Sequence, residues 1–437
     1  MAERRRAADP ARRAALDVLT AVRVEEAYAN LVLPQVLRKH RLAGRDAGLA
    51  TELASGAIRM QGLYDAVIDA CLTKPRLQPE VRDVLRLGVH QLLSMRVPDH
   101  AAISTSVDLV RAVVGQGPAG LVNAVLRKVS RRDLEAWVAD VAPDRATDPY
   151  GHLAVARSHP RWVVNALGEA LGTDEELDAL LAADNAAPRV TLVARPGLAT
   201  VEELEAAGGT RTSRSPHGVV LAGGEPAAVP AVAEGRAGVQ DEGSQLVALA
   251  MSEAPLEGRD ERWLDLCAGP GGKAALLAAL AARRGATLTA NERQPHRAAL
   301  VASAMRAVPP GTAHVLAGDG MRPAWVPGTF DRALVDAPCS GLGALRRRPE
   351  SRWRRTPEDL DGLVALQQVL LDVALESVRP GGVVVYATCS PVVAETTAVV
   401  RAVLERRGDT DEVDRFQLWP HRDGTDAMFA ATLRRRD

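Results

Sequence analysis

The sequence is poor in the residues that cross-link, stack or span a membrane. Four cysteines in 437 residues, Cys71, Cys267, Cys339 and Cys389, are too few and too scattered for a disulfide framework or a closed zinc site. No metal is expected, and any cysteine with a special role is expected to be chemical. Aromatic residues make up 3% of the chain, too few for a broad surface that binds by ring stacking. No apolar run reaches about 18 residues, and the opening MAERRRAADPARRAALDVL meets charge too early for a signal peptide or a membrane span. A cytoplasmic protein without membrane contact is expected. Excess charge of one sign is also missing, since the net charge is −1. That balance hides an asymmetry: residues 1–140 carry 21 Lys+Arg against 16 Asp+Glu, residues 141–260 carry 9 against 18, and residues 261–437 carry 24 against 21. Such an imbalance often reflects solubility alone and points only weakly to nucleic acid.

What is present is ordinary globular material, 47% hydrophobic and 25% charged, long enough for two or three domains. From about residue 10 to 140 apolar residues recur at helical spacing, as in Val81, Val84, Leu85, Gly88 and Leu92. Pro75, Pro79, Pro98 and Pro118 punctuate this stretch into helices. Residues 1–140 are therefore read as an all-α domain. Residues 141–240 turn to Gly, Pro and Ala with short segments: TLVARP and HGVVLAGG read as strands and VEELEAAGG as a helix, a small α/β connector. In residues 241–437 the short apolar runs RWLDLCAG, ATLTANE, AHVLAGD, DRALVDAP and GGVVVYATC are separated by longer stretches, most with helical patterning. Buried parallel strands alternating with helices predict a doubly wound α/β sheet.

In such a sheet ligands bind beyond the carboxyl ends of the strands. After the first strand comes Cys267-Ala268-Gly269-Pro270-Gly271-Gly272-Lys273, whose glycines permit a tight turn and close approach of backbone N–H groups. A P-loop would need Gly at 267 and Ser or Thr at 274, where Cys267 and Ala274 stand, and GxGxxG is absent here. Glu292 ends the second strand about 20 residues on, suited to ribose hydroxyls. Asp319 ends the third, between glycines. Each acid alone could be a turn residue; at successive strand ends they suggest an adenosine-type ligand. The fourth strand leads into Asp336-Ala337-Pro338-Cys339-Ser340-Gly341 and the fifth into Thr388-Cys389-Ser390-Pro391, where a reactive thiol would be displayed rather than packed. The following GLGALRRRPESRWRR holds Arg346, Arg347, Arg348, Arg352, Arg354 and Arg355 against Glu350. This is either a phosphate-contacting segment or a solvated loop.

LDLCAGPGGKA, DAPCSGLGALRRRPESRW and YATCSP, in this order and spacing, resemble the RNA cytosine-5 methyltransferases that use S-adenosylmethionine. AYANLVLPQVL, TELASGAIR, LRLGVHQLLSM and GLVNAVLRKV resemble the NusB-type helical domain of one bacterial branch, the ribosomal small-subunit methyltransferase B family. With HPRW, VQDEGSQLVAL and GTDAMFAATLRR the likeness covers nearly the whole chain. It implies a class I methyltransferase Rossmann-like sheet behind a NusB-like, RNA-binding domain, acting on a cytosine of 16S ribosomal RNA as a monomer.

For matching residues the resemblance implies that Cys267, Ala268, Gly269, Pro270, Gly271, Gly272, Lys273, Glu292, Asp319 and Asp336 hold S-adenosylmethionine. Cys389 is then the nucleophile, and Cys339 assists breakdown of the covalent intermediate. Chemical reasoning asks for positive potential, from Lys273 or nearby arginines, to favour the thiolate, and gives Asp336 the task of holding or protonating the cytosine edge. One departure is Val193-Ala194-Arg195, where the family has Arg-Val-Asn, so the connector's RNA contacts are not carried over. Transfer RNA or another ribosomal position is the alternative substrate. A noncatalytic RNA-binding or antitermination protein is the alternative of another class, disfavoured by the two cysteines, Asp336 and the intact glycine loop.

Overall fold

The computed structural model describes residues 8–73 and 76–436, so Pro75 and the first seven residues lie outside the described residues. The chain divides into two compact units, Met1–Ala186 with Leu345–Arg354, and Ala187–Ala344 with Arg355–Asp437.

The first unit is helical. Prolines and acidic caps set its helix starts: Asp9 accepts the Arg12 amide at 2.9 Å ahead of Pro10–Val24, and Pro79–Leu93, Asp99–Val113 and Ala119–Val129 begin at or just after Pro79, Pro98 and Pro118. In Pro79–Leu93 the periodic residues Val81, Val84, Leu85 and Gly88 are buried and Leu92 is half-buried. Gly88 has a packing reason: a Cβ there would lie 2.7 Å from a Leu126 methyl, so only glycine lets these helices meet so closely. The core runs from Ala11 to Trp137. The segment expected as one α/β connector, 141–240, is not one piece. Pro149–Ala156, Arg161–Leu171 and Leu177–Asp184 are helices grouped with the first unit, and strands begin only after residue 187.

The second unit opens with four short antiparallel strands, β1 (Thr191–Ala194), β2 (Gly209–Arg211), β3 (Gly218–Leu221) and β4 (Ala237–Val239), in the order β2-β3-β1-β4. Its main sheet holds β5 (Arg262–Asp265), β6 (Thr287–Glu292), β7 (Ala313–Ala317), β8 (Phe330–Asp336), β9 (Val378–Thr388), β10 (Thr410–Gln417) and β11 (Phe429–Arg435), in the order β10-β11-β9-β8-β5-β6-β7. The five expected strands pair in parallel; β10 and β11 add an antiparallel edge. Helices Glu242–Glu253, Gly272–Arg283 and Pro295–Ala304 contribute to one core cluster, and Pro357–Ser377 and Thr397–Arg406 to another. The sheet is thus Rossmann-like, with an antiparallel edge.

Two features of the topology place the site. Strand order reverses between β5 and β8, where an open α/β sheet forms its ligand crevice. Parallel register sets Asp336 opposite Ala387, so the loops that follow β8 and β9 leave the sheet side by side.

Candidate active site

The loop after β5 passes from Leu266 to Gly271, where φ is +111° and a Cβ would lie 2.8 Å from that of Ala304. Glycine is required there both by backbone conformation and by space. A Cβ on Gly269 would stand 2.0 Å from Glu292 Oε2, so the loop backbone lies directly against that carboxylate. Glu292 is 5% exposed. Its Oε1 accepts the Gln294 amide at 2.9 Å, and Arg297, 3.6 Å from Oε2, donates to the Gly269 carbonyl at 2.8 Å. Asp319 accepts the Met321 amide at 3.0 Å. Asn291, buried just before Glu292, donates to the Leu266 carbonyl at 3.0 Å and the Gly318 carbonyl at 3.1 Å. It fastens the loops after β5 and β7 to β6.

Asp265, at the end of β5, is 1% exposed. Neither of its oxygens has a partner of full hydrogen-bond geometry, although the Cys267 N–H leans on it. Burial first, and then the negative charge of Asp336, push its pKa up to about 7. Lys273 donates to Asp336 Oδ2 at 2.8 Å. Burial alone would lower the Lys273 pKa; the charge and hydrogen bond of Asp336, together with Cys389 and Asp265, outweigh it and raise it. Lys273 therefore stays cationic and favours negative charge on Cys389. Cys267 differs from the other loop residues, because burial and three acids push its thiol far up; it remains neutral.

The two remaining cysteines meet. Cys339 Sγ lies 3.4 Å from Cys389 Sγ. Gly343 makes this approach possible: its N–H donates to the Cys389 carbonyl at 2.8 Å, and a Cβ would lie 2.1 Å from the Ala427 carbonyl oxygen. The Ala337 N–H donates to the Ala387 carbonyl at 2.8 Å, which closes the base of the two loops. The hydrogen bond with Cys389, then burial, then the charges of Cys389, Glu395 and Asp336 hold the Cys339 pKa well above its usual value. Cys339 keeps its proton beside Cys389.

Residues 254–434 match the family model described as 16S rRNA methyltransferase RsmB/F, and residues 9–131 match the NusB family. A putative methyltransferase of Mycobacterium tuberculosis is 51% identical over 99% of this chain and 98% of its own length. The probable ribosomal RNA small subunit methyltransferase B of Bacillus subtilis is 30% identical over 97% and 98%. The chain belongs to the 16S rRNA methyltransferase RsmB/F family. It is an S-adenosylmethionine-dependent RNA methyltransferase. The ribosomal RNA small subunit methyltransferase B of Pseudomonas syringae pv. tomato is 35% identical over 92% and 88%. Among solved structures, PH0851 shares the fold with a TM-score of 0.80 at 23% identity over 98% of this chain and all of its own. A methyltransferase homologue from Pyrococcus horikoshii follows at 0.55 and 22%, over 65% and 97%.

The cofactor of the family fits the β5 and β6 ends of this sheet. The two under-partnered oxygens of Asp265 and the buried Glu292 carboxylate can accept hydrogen bonds, and Gly269 and Gly271 let the loop backbone lie against Glu292 and Ala304 with no side chain between. Among the described residues no group of three or more His, Cys, Asp or Glu could hold a metal ion, and no helix is long and apolar enough to cross a membrane.

The arginine segment needs a correction. Arg352, expected at phosphates, is fully buried. It donates to Asn185 Oδ1 at 2.7 Å, to the Ser158 carbonyl at 3.1 Å and to the Asp184 carbonyl at 3.3 Å, and burial pushes its pKa down to about 9. Arg354 donates to the Val22 and Ala27 carbonyls, and the guanidinium groups of Arg348 and Arg354 lie 4.8 and 5.2 Å from the Tyr28 ring centre. Arg346, Arg347 and Arg355 are half-buried. The six do not form one solvated stripe. Arg195 of the departing Val193-Ala194-Arg195 is also buried, donating to the carbonyls of Gly235 at 2.5 Å and Ala304 at 2.7 Å.

Sequence reasoning passed over Asp265, Asn291 and Glu395. The first two lie within motifs already quoted, and their position at strand ends was the available signal. Glu395 carried none.

Proposed function

We propose that this protein methylates carbon 5 of a cytosine in 16S ribosomal RNA through a covalent adduct with Cys389, in the cytoplasm. The observation that carries the reading is the pair of thiols 3.4 Å apart, with the Lys273–Asp336 ion pair acting on Cys389 through the lysine charge. The small-subunit names of the relatives carry the substrate. Carbon 5 of cytosine is a poor nucleophile, and addition of a thiolate to carbon 6 makes it enamine-like. Two thiols in one site suit a reaction in which one sulfur adds and the other helps it leave.

Cys267 to Lys273, with Glu292, Asp319 and Asp336, hold S-adenosylmethionine, which supplies an electrophilic methyl group when bound. The target base leaves any helical stack to reach the pocket. Lys273 stabilises the Cys389 thiolate, whose addition forms the sulfur–carbon 6 bond and moves the ring electron pair toward carbon 5. Asp336 holds the ring edge as that charge shifts. After carbon 5 is methylated and its proton is lost, the carbon 5–carbon 6 double bond re-forms and Cys389 departs. The protonated Cys339 donates to the departing sulfur and promotes release. The helical unit, together with Arg346, Arg347 and Arg355, contributes phosphate contacts, so RNA affinity falls as salt rises.

Bisulfite mapping of 5-methylcytosine in ribosomal and transfer RNA, from cells with and without the gene, tests the reading. One 16S cytosine should lose its mark when the gene is removed. Loss confined to transfer RNA, or no loss, would reject the assignment.

A further inference from the structure

The steps above assign no role to a buried carboxylate that accepts four hydrogen bonds. Glu395, in the short turn Val393–Glu395, is fully buried. Its Oε2 accepts the Ser340 hydroxyl at 2.5 Å and the Ser390 hydroxyl at 2.6 Å. Its Oε1 accepts the Ser340 N–H at 2.7 Å and the Gln367 amide at 3.1 Å. Gln367 also donates to the Pro338 carbonyl at 2.9 Å, and Tyr386 donates its hydroxyl to the Glu395 carbonyl at 2.7 Å.

The partners are not arbitrary. Ser340 follows Cys339 and Ser390 follows Cys389, so one carboxylate grips the residue next to each thiol. Two loops whose cysteines lie 50 positions apart are held at their turns by one shared carboxylate, beside a direct Ser340–Ser390 hydroxyl bond of 3.1 Å. Stability alone is a poor reason for such a group, because removing a carboxylate from water costs several kcal/mol and an apolar residue often serves a core equally well. Its four donors buy a defined geometry instead.

We propose that Glu395 is a positioning residue that sets the separation and aim of the Cys389 and Cys339 sulfurs by holding Ser340 and Ser390 on one carboxylate. Its charge also adds to the field that keeps Cys339 protonated. The catalytic consequence rests on the two-thiol reading above; the positioning itself does not.

Glu395→Gln keeps the size of the side chain but removes the charge and turns an NH2 group toward either the two hydroxyls or the two N–H donors, so the four present bonds cannot all be kept. The test is made on the full chain by oxidation with diamide, which takes one hydrogen from each thiol as the sulfur–sulfur bond forms, with the loss of two hydrogens followed by mass spectrometry. In the wild type Cys339 and Cys389 should join rapidly. In Glu395→Gln the joining should slow about tenfold, and kcat for RNA should fall by at least that factor with KM little changed, because misplacement of about 1 Å in a reacting group costs up to 100-fold. Binding of S-adenosylmethionine should be unaltered. A lowered melting temperature with cross-linking and kcat both within about twofold of wild type would show a merely structural role and overturn the proposal. If Glu395→Gln does not fold, Ser340→Ala and Ser390→Ala each release one grip and should each slow cross-linking severalfold; unchanged rates in both would overturn it equally. Cross-linking needs no RNA, so a wild type that fails to methylate cytosine would reject the proposed function and leave this test intact.

Discussion

Residues 337–344 and 345–354 are consecutive in the chain, equally rich in motif, and use their polar groups in opposite ways. The first segment, with its counterpart after β9, turns small residues toward one another so that two partly buried cysteines meet with their sulfurs 3.4 Å apart. The second spends charge on structure: Arg352 is buried among carbonyls, and Glu350 accepts the Ala29 N–H at 3.2 Å. The contrast shows what each kind of sequence signal is worth. Pro, Ser and Gly around a cysteine constrain backbone and leave the sulfur available, whereas a run of arginines says how much charge is present and nothing about where it points.

The contrast can be broken by exchanging the expected consequences of mutation. Lys273→Met should cut turnover by about 100- to 10,000-fold, the range for loss of a group that sets the charge state of a reacting atom, with little change in melting temperature. Arg352→Met should do the reverse. Leaving three buried acceptors without their donor costs about 3 kcal/mol of stability, and the salt dependence of RNA binding should stay as in the wild type. A lowered salt slope without destabilisation would return Arg352 to the phosphates.

Smaller effects sharpen the cofactor side. Glu292→Ala should weaken S-adenosylmethionine binding by about 1 to 3 kcal/mol, because ribose hydroxyls lose their acceptor, while RNA binding stays unchanged; calorimetry with each ligand separates the two. Asp265 supplies a pH test. Its folded pKa of about 7 lies above the ordinary 3.8, so its ionisation destabilises the fold progressively as pH rises across that interval. Asp265→Asn removes this contribution. The melting temperature of the variant minus that of the wild type, measured without cofactor, should grow from pH 4 to about 7 and level off above it; a flat difference would place the Asp265 pKa near its ordinary value.

The main sheet was legible because its strands are continuous apolar runs that end in polar loops, and Glu292, Asp336, Cys339 and Cys389 could be placed at strand ends from that rhythm alone. Helices Pro149–Asp184 were not, because a Gly-, Pro- and Ala-rich texture masks helical periodicity; caps such as Asp148, which accepts the Gly151 amide at 3.0 Å, were the better guide. Strand β10 is a charged edge strand paired to β11, and β11 pairs with distant β9 through a short run that ends in two arginines, so no long apolar run announces either. Glu395 was illegible for a different reason. Its nearest motif ends four residues before it, at Pro391, and its chief partner lies 55 away, in a stretch, PVVAETTAVV, that reads as the start of a surface helix.

The unequal roles of the two thiols are the centre of this account. Cys389→Ala and Cys339→Ala, each incubated with cofactor and target RNA and run on one denaturing gel, test them most directly. Cys389→Ala should be inactive and form no covalent complex, while Cys339→Ala should methylate and remain attached to its product. An RNA-bound band from Cys389→Ala, or turnover by it, would contradict the assignment of Cys389 as the nucleophile.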